Sequence, residues 1–526
     1  MTSGLQVYNA GTPLVGQQPI WDVPLLLFAS DMSLGDLSAT ERRVMSWLNA
    51  RLMEGRFRFG LELSQLYYDG LNMVPSLGIS VPPELESLRA VLGWCSTAID
   101  ARSERLNIQG FRLPGDETIN STLQEIWQHN DLDAESVLVH EEAMTVGHTY
   151  GIVGVDDDGS GFPLITTETA FNMTASYDPK RRELSSALQT YVDADPASDT
   201  YGQRLATLYT RDSIVQLASG GKGWSVTDRN DHLEGFVPVV QFTPRPKYGE
   251  RLKSTSLMTA AWRNTQDRAC RSLQSMEVAR EFWAAAKIFI LGASEESFQK
   301  RDGTKASAWE TYIGRISTLE ADENGELPTI TRIPGESPDG MIRSLDHERQ
   351  IFAGHSGLAP QYLGIFSDGN PASADAIRMS DFRLKKIAER LSVAFGNEWE
   401  KLMRMAMRIA GESVDQAEQM ETDWDYTGIP TPAADATRVA QQVTVGMVPP
   451  DSDDALAECG WTPVQRARIA RQRTKSQGLA QIAQALPGLK PPGAPQQVPS
   501  QAPDGEQPGA LAALDAKRST DGAAAG

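Results

Sequence analysis

The residues from Asn370 to Ala410 are NPASADAIRMSDFRLKKIAERLSVAFGNEWEKLMRMAMRIA, and they predict one very long helix. Asn370 can accept a backbone N–H as N-cap, and Pro371 supplies a helical φ where no helical donor is needed. At about 1.5 Å per residue the helix would run for roughly 60 Å, far longer than an ordinary globular helix. Apolar residues recur along one face at intervals of three, four and seven: Ile377, Leu384, Ala388, Leu391, Phe395, Leu402 and Ile409.

A second helix is predicted just before it. Met341, Leu345, Glu348 and Phe352 have helical spacing, and the glycines at 354 and 357 are expected to end the helix before a proline. The two helices are separated by the loop-forming run IFSDGNP, from Ile365 to Pro371. The pattern is therefore helix, short loop, very long helix.

This pattern resembles a known family. The runs SGLAPQYLG, GNPASADAIR and RLKKIAERLSVAFGNEW, in that order between Ser356 and Trp399, are similar to the stem helix, tunnel loop and long wing helix of tailed-bacteriophage portal proteins. Among these proteins, the sequence most resembles the portals of long-tailed actinobacterial phages. The likeness extends more loosely over residues 37–480.

The resemblance implies an α+β fold of several subdomains, with a mainly helical wing, long stem helices, a small β-containing clip and a helical crown. A chain of 526 residues is too long for one hydrophobic core, which agrees with several subdomains. The expected divisions are an arm (1–36), wing (37–253), stem helix 1 (254–287), clip (288–337), stem helix 2 (338–366), tunnel loop (367–373), long wing helix (374–411), crown (412–486) and disordered tail (487–526).

Portal function is what the resemblance implies for the chain. A homo-oligomeric ring, a dodecamer in this family, would sit at one capsid vertex of the virion after assembly in the host cytoplasm, and double-stranded DNA would be packaged and ejected through it. The implied partners are the large terminase subunit, the head-tail adaptor, the major capsid and scaffold proteins, and DNA in transient, sequence-independent contact. No cofactor, metal or catalysed reaction is implied.

Three sets of residues are candidates for this function. The tunnel loop, by position, comprises Ser367, Asp368, Gly369, Asn370, Pro371, Ala372 and Ser373. Basic residues on the long helix form either a solvated face or contacts to DNA or a neighbouring subunit: Arg378, Arg383, Lys385, Lys386 and Arg390. The apolar stripe is expected to pack in a core or against a neighbouring subunit: Ile377, Leu384, Leu391, Phe395 and Leu402.

The remainder of the chain gives coarser predictions. Ser38 and Glu41 form a capping box that opens a helix ending at Gly70. Further helices are expected over Glu84 to Arg105, Ile119 to Gly147, and Ser254 to Lys287. Period-two runs between Thr149 and Ala218 predict one antiparallel sheet. Short clip strands and a final helical region complete the set: Ile288 to Leu291, Tyr312 to Leu319, Thr329 to Ile333, Thr437 to Val445 and Pro463 to Leu486.

Composition and motifs argue against most other functions. A formal charge of −20 does not suit a protein that grips phosphate backbones by net charge, and three separated cysteines indicate neither a zinc ribbon nor a disulfide framework. No signal peptide or membrane span is predicted. HEEAM and HERQI lack the second zinc-binding histidine, SGGKGW departs from a phosphate loop, and GHSGL departs from a nucleophile elbow. A metal-dependent DNA hydrolase using scattered carboxylates and a non-viral helical scaffold protein remain as alternatives.

Overall fold

The computed structural model of the chain divides into two compact units, residues 1–429 and 430–526. The predicted arm, tunnel loop, middle clip strand (Tyr312 to Leu319) and tail lie outside the residues that the structure describes. Those residues are 37–53, 55–72, 74, 90–115, 118–156, 161–220, 223–232, 235–247, 255–283, 287–291, 329–333, 339–365, 374–412, 417–425 and 432–449, with scattered positions from 452 to 475.

The first unit opens with helices α1 (Ala39–Met53) and α2 (Gly55–Tyr68). The Glu41 backbone N–H donates to Ser38 Oγ at 3.2 Å, and the Ser38 backbone N–H donates to Glu41 Oε2 at 2.8 Å. These reciprocal bonds satisfy donors that the first helical turn leaves without partners. The predicted capping box is confirmed.

The predicted helix from Ile119 to Gly147 is wrong, because it is two helices: α4 (Ser121–His129) and α5 (Leu132–Val146). Asp131, at φ 51°, breaks the helical path. The amide of Asn130 offsets the break: it donates to the carbonyls of Ile126 and Pro163 and accepts from the Ile165 N–H. The helix predicted to begin at Glu84 is likewise shorter, since α3 spans Trp94–Ser103 and follows a Gly N-cap.

The strand-rich region forms two antiparallel sheets, where the sequence pattern predicted one. The first has the order β3–β2–β9 and the second the order β4–β5–β6–β7–β8. Both edges of β2 are taken by β3 and β9, so β4 begins a new sheet after the turn at Asn172. The bounds are β2 (Thr149–Val155), β3 (Pro163–Thr169), β4 (Met173–Asp178), β5 (Glu183–Val192), β6 (Arg204–Tyr209), β7 (Ser213–Gly220), β8 (Gly223–Asp231) and β9 (Val239–Phe242).

Helices and strands are present in the described parts of the segments for which the stem and clip are predicted, with adjusted ends. Helix α6 (Ala260–Trp283) packs against α7 (Asp339–Ser356), and a 3₁₀ turn follows at Pro360–Leu363. Helix α7 continues past Gly354 and ends at Ser356, directly before Gly357, whose φ is +76°, so the second of the two predicted glycines ends it. Strands β10 (Lys287–Leu291) and β11 (Thr329–Ile333) pair in antiparallel register between the two helices in sequence.

The long helix is α8 (Ala374–Ile409), whose 36 residues extend for about 54 Å at 1.5 Å each. It crosses the first sheet at β2 and β9. Gly151 of β2 permits this approach, because a Cβ there would lie 3.0 Å from the Phe242 ring and 3.1 Å from Leu402. The α+β fold class and the long helix are confirmed.

The strand β12 (Glu421–Trp424) was not predicted, whereas its partner lies in the run LNIQGFRLPG, which predicts a short strand and turn. Strand β1 (Ile108–Arg112) pairs with β12 (Glu421–Trp424), more than three hundred residues later in the chain. Gly396 of α8 makes room for β12, since a Cβ there would lie 3.2 Å from Trp424 Nε1. The crown boundary predicted at residue 411 is therefore too early, because 417–425 belong to the core of the first unit.

The second unit contains α9 (Pro432–Thr444), which covers most of the helix predicted from Thr437 to Val445.

Within the part of the chain that the structure describes, no helix is both long and apolar enough to cross a membrane.

Candidate functional site

The described elements on either side of segment 366–373 meet at a junction of three arginines, of which Arg102 and Arg105 are largely buried and Arg383 is exposed. Arg105, just after α3, donates through Nη2 to Tyr362 Oη at 2.6 Å and lies 3.1 Å from Asp381 Oδ2. Tyr362 precedes the loop and Asp381 follows it. The side chains of Arg105 and Asp381 are only 10% and 5% exposed. Burial opposes the charge of Arg105, but its bonds to Tyr362 and Asp381 raise its pKa above the ordinary value.

Arg102 is the second arginine of the junction and is almost fully buried. Its guanidinium donates to the carbonyls of Ala98 and Ser356 and lies 4.9 Å from the Trp262 ring centroid. Burial, with smaller contributions from the charges of Arg105 and Arg383, lowers the pKa of Arg102 to about 10, so it stays charged at neutral pH. Arg102 thereby ties α3 to the end of α7.

Arg383 closes the junction from the side of α8. Its Nη1 donates to the Gly354 carbonyl at 3.0 Å, across 29 residues of sequence. The turn at Gly357 makes room for it, because a Cβ there would lie 2.9 Å from Arg383 Nε. The end of α7, the 3₁₀ turn and the start of α8 are thus fixed to α3, and they carry both ends of segment 366–373.

The other predicted basic residues are placed differently. Lys386 Nζ lies 2.6 Å from Glu389 Oε2 and 5.8 Å from the Phe382 ring centroid, on the exposed surface of α8. Lys385 is partly buried and Arg390 is exposed. The side chain of Arg378 and all seven tunnel-loop residues lie outside the described residues. The structure thus brings Arg383 into the junction and leaves Lys386 and Arg390 on the outer surface.

The apolar stripe of α8 lies in the core of its own chain. Its residues contact an aromatic cluster in which Trp399 stands 5.1 Å from Trp127 and 4.5 Å from Phe242, between ring centroids. Of the two alternatives for the stripe, packing in the core of its own chain holds for the described residues, because β2, β9 and β12 cover them. The stripe residues that the structure describes are at most 4% exposed: Leu384, Leu391, Phe395 and Leu402. The side chain of Ile377 lies outside that description.

The opposite face of α8 exposes apolar side chains. Met379 is 74% exposed, Phe382 55% and Val393 65%. Lys386 and Arg390 lie on the same side of the helix, at helical spacing from these three. We call these five residues the outer face. Sequence reasoning missed it, although apolar residues out of phase with the main stripe were a visible signal.

His140, from the HEEAM run, is part of the core. Its Nε2 accepts a hydrogen bond from Trp399 Nε1 at 2.9 Å, and its ring stacks on Phe395 at 4.6 Å. Complete burial lowers the pKa of His140 to about 3, so the imidazole is neutral at pH 7. The neutral ring supplies the one acceptor that the buried indole needs.

The remaining motif residues have structural positions. Ser356, in GHSGL, is the last residue of α7, and its hydroxyl donates to the Phe352 carbonyl at 2.7 Å. The SGGKGW run spans the β7–β8 hairpin, in which Gly220 is opposite Gly223. Among the described residues there is no group of three or more His, Cys, Asp or Glu side chains that could hold a metal ion.

Sequence reasoning also missed Arg102, Arg105, Tyr362 and Asp381. Asp381 gave the one usable signal, because it falls within the apolar stripe, three residues before Leu384. A carboxylate at such a position needs a buried cationic partner. The sequence alone could not show which arginine that was, since Arg105 lies 276 residues away.

Comparison of the sequence with known proteins identifies the family. A family model described as "Phage portal protein, SPP1 Gp6-like" matches residues 61–453. The portal proteins of Mycobacterium phage L5 and Mycobacterium phage D29 are each 29% identical over 415 residues, covering 77% of this chain and 83% of each relative. A chain from the virion of a native gene transfer agent (GTA) particle aligns with TM-score 0.40 and 13% identity, over 76% of this chain and 99% of its own length. Because the family model spans most of its length, the chain belongs to the SPP1 Gp6-like family of phage portal proteins.

Proposed function

We propose that this chain assembles into a closed homo-oligomeric ring, a dodecamer, at one vertex of a phage capsid. Double-stranded DNA is packaged and ejected through the ring. The large terminase subunit and then the head-tail adaptor dock on it, and the major capsid and scaffold proteins surround it. Family membership supports this role, since the portal proteins of two Mycobacterium phages are 29% identical to this chain over 415 residues.

The outer face of α8 is the observation that carries the proposal of a ring. Monomeric proteins rarely leave several large apolar side chains exposed together, and such patches mark interaction surfaces. Met379 and Phe382 are one helical turn apart, and Val393 continues the same side three turns later. In a ring the contact is head-to-tail, so this face would meet a different surface of the next subunit.

The junction supports the DNA-handling part of the proposal. Segment 366–373 leaves from and returns to elements that Arg102, Arg105 and Arg383 fix to the first unit. A loop with rigid ends can move against DNA without disturbing the core. In this proposal Ser367 to Ser373 touch DNA transiently, Arg383 positions the loop, and Lys386 and Arg390 act at the subunit contact.

The proposed ring catalyses no reaction. The motif residues Ser356 and His140 are engaged in structural hydrogen bonds.

Replacement of the predicted tunnel loop tests the DNA-handling part of the proposal. Replacement of Asp368 to Asn370 by Gly-Ser-Gly should leave rings and DNA-free capsids forming, while DNA packaging or retention fails. Infectivity and electron microscopy of particles measure both effects. A matched control replaces the exposed turn residues Asp195 to Ala197 by the same Gly-Ser-Gly, where no effect on DNA packaging is expected. DNA-filled, infectious heads from the loop variant would show that 367–373 is not the tunnel loop.

A further inference from the structure

A cleft of about 790 Å³ lies beside the C-terminal half of α8 and has no role in the function proposed above. It is bounded by the β4–β5 turn, the segment around β9, and residues 394–408 of α8. Three glutamates line it, so cations exceed carboxylates there in a chain of charge −20. The lining cations are Arg181, Arg182, Lys247, Lys401, Arg404 and Arg408.

Several of these cations are not neutralised by the contacts they make. Lys401 is paired with Glu398 at 2.8 Å. Arg404 Nη1 donates to the Ala417 carbonyl at 3.4 Å and its charge acts on Glu400, while the Arg408 guanidinium lies 5.3 Å from the Phe236 ring centroid. Neither arginine forms an ion pair with a described residue, so both can take an anionic group, Arg408 the more readily.

The floor of the cleft is apolar. Val237, Val239 and Val240 are at most 3% exposed, and Phe236 and Met405 stand partly buried in its walls. Such a floor suits apolar side chains better than a phosphate backbone, whose affinity comes from cations alone. The fitting ligand is therefore a peptide with apolar residues between acidic ones.

The chain contains a segment of this chemistry in its first 36 residues. Those residues include three aspartates and no lysine or arginine. The run IWDVPLLLFASD, from Ile20 to Asp31, places an apolar stretch between Asp22 and Asp31. Only six residue steps separate Asp31 from Leu37, a reach of about 20 Å when extended.

We infer that Ile20 to Asp31 dock in this cleft, with the stretch from Val23 to Ala29 on the apolar floor and the two aspartates beside Arg404 and Arg408. The pairing joins an acidic, apolar segment to a cationic cleft with an apolar floor. It does not depend on ring formation or DNA packaging.

Photo-crosslinking of the full-length chain tests the inference. Benzoylphenylalanine replaces Phe28, and mass spectrometry locates the attachment points. The expected crosslinks lie in 236–247 and 394–408. The same probe at Tyr8, outside the segment, should not crosslink there. Crosslinks from position 28 to other regions would overturn the proposal.

Charge-reversal variants test whether Arg404 and Arg408 hold the segment in the cleft. The double variant Arg404→Glu, Arg408→Glu should lower the crosslink yield about tenfold. The matched variant Arg42→Glu, Arg43→Glu makes the same charge change on the exposed surface of α1, closer to the segment in sequence, and should lower the yield less than about twofold. Circular dichroism melts confirm that each variant is folded. Equal losses in both variants would contradict a docking site in the cleft.

Charge reversal on the segment shows whether the Arg404→Glu, Arg408→Glu variant loses the crosslink because of its charge or because the cleft is damaged. Asp22→Arg with Asp31→Arg should abolish the crosslink in the native cleft and restore it in the Arg404→Glu, Arg408→Glu background. Failure to restore it would overturn the charge pairing. If crosslinks fall elsewhere while a DNA duplex binds and is weakened by the Arg404→Glu, Arg408→Glu change, the cleft belongs to nucleic acid instead.

Discussion

The two sides of α8 have the same helical geometry and opposite environments. On the inner side Leu384, Leu391 and Phe395 are buried by elements of their own chain, whereas Phe382 and Val393 on the outer face are more than half exposed. A regular apolar stripe on a long helix therefore does not by itself indicate an oligomer. The apolar residues outside the stripe do, because nothing in the described first unit covers them.

The largest effect is expected on the inner side. Leu391→Asp places a carboxylate in the apolar core and should cost about 4 kcal/mol or more, enough to prevent folding. Val393→Asp, two residues away on the outer face, makes the same chemical change and should cost less than about 0.5 kcal/mol of chain stability. Thermal unfolding of the two proteins compares them. Equal destabilisation would show that the sides do not differ as described.

Asp381 tests the junction at the start of the inner side. Asp381→Ala leaves the mostly buried Arg105 without its carboxylate and should cost about 3 kcal/mol. Asp381→Asn keeps a hydrogen-bond acceptor and should cost less. Denaturant unfolding measures both, and an unchanged midpoint for Asp381→Ala would remove the junction's claimed role in holding α8.

The stability of the chain is expected to depend on pH, because His140 and His148 are buried in the first unit. Burial lowers the pKa of both His140 and His148 to about 3, so below pH 6.5 the unfolded chain binds more protons than the folded chain. Stability should fall as the pH drops from about 6.5 towards 3, by about 2 kcal/mol for each histidine at pH 5.

His140→Gln isolates one histidine, because it keeps an acceptor for Trp399 Nε1 and removes the titrating group. The stability lost between pH 7 and pH 5 should shrink by about 2 kcal/mol relative to the native chain. Unfolding curves at the two pH values measure the difference. An unchanged pH dependence would mean that His140 is not buried in its neutral form.

Local signals predicted a large part of the fold. The period of α8, the Ser38–Glu41 capping box and the strand at Thr149–Val155 all depend on neighbours within a few residues, and all are present. The apolar stripe was also visible in the sequence. The sequence did not show whether the residues that cover the stripe belong to the same chain or to a neighbouring subunit. Helical periodicity shows which side is apolar and does not show what lies against it.

Features that depend on distant partners could not be predicted. The four residues of β12 carry two acidic side chains and give little strand signal; they become a strand by pairing with β1. Asn130 ends a helix because it can satisfy the backbone of β3, and Arg383 is structural because the Gly354 carbonyl accepts from it. Each of these outcomes is set by a contact that only the folded chain creates.

The mass of the purified assembly, measured by light scattering on the native chain and on Phe382→Asp with Val393→Asp, tests the central claim most directly. A ring mass, a high multiple of 57.4 kDa, is expected for the native chain. Folded monomers, with the far-UV circular dichroism of the native chain, are expected from the outer-face variant. Intact rings from that variant, or a native chain that stays monomeric at every salt concentration, would contradict the central claim.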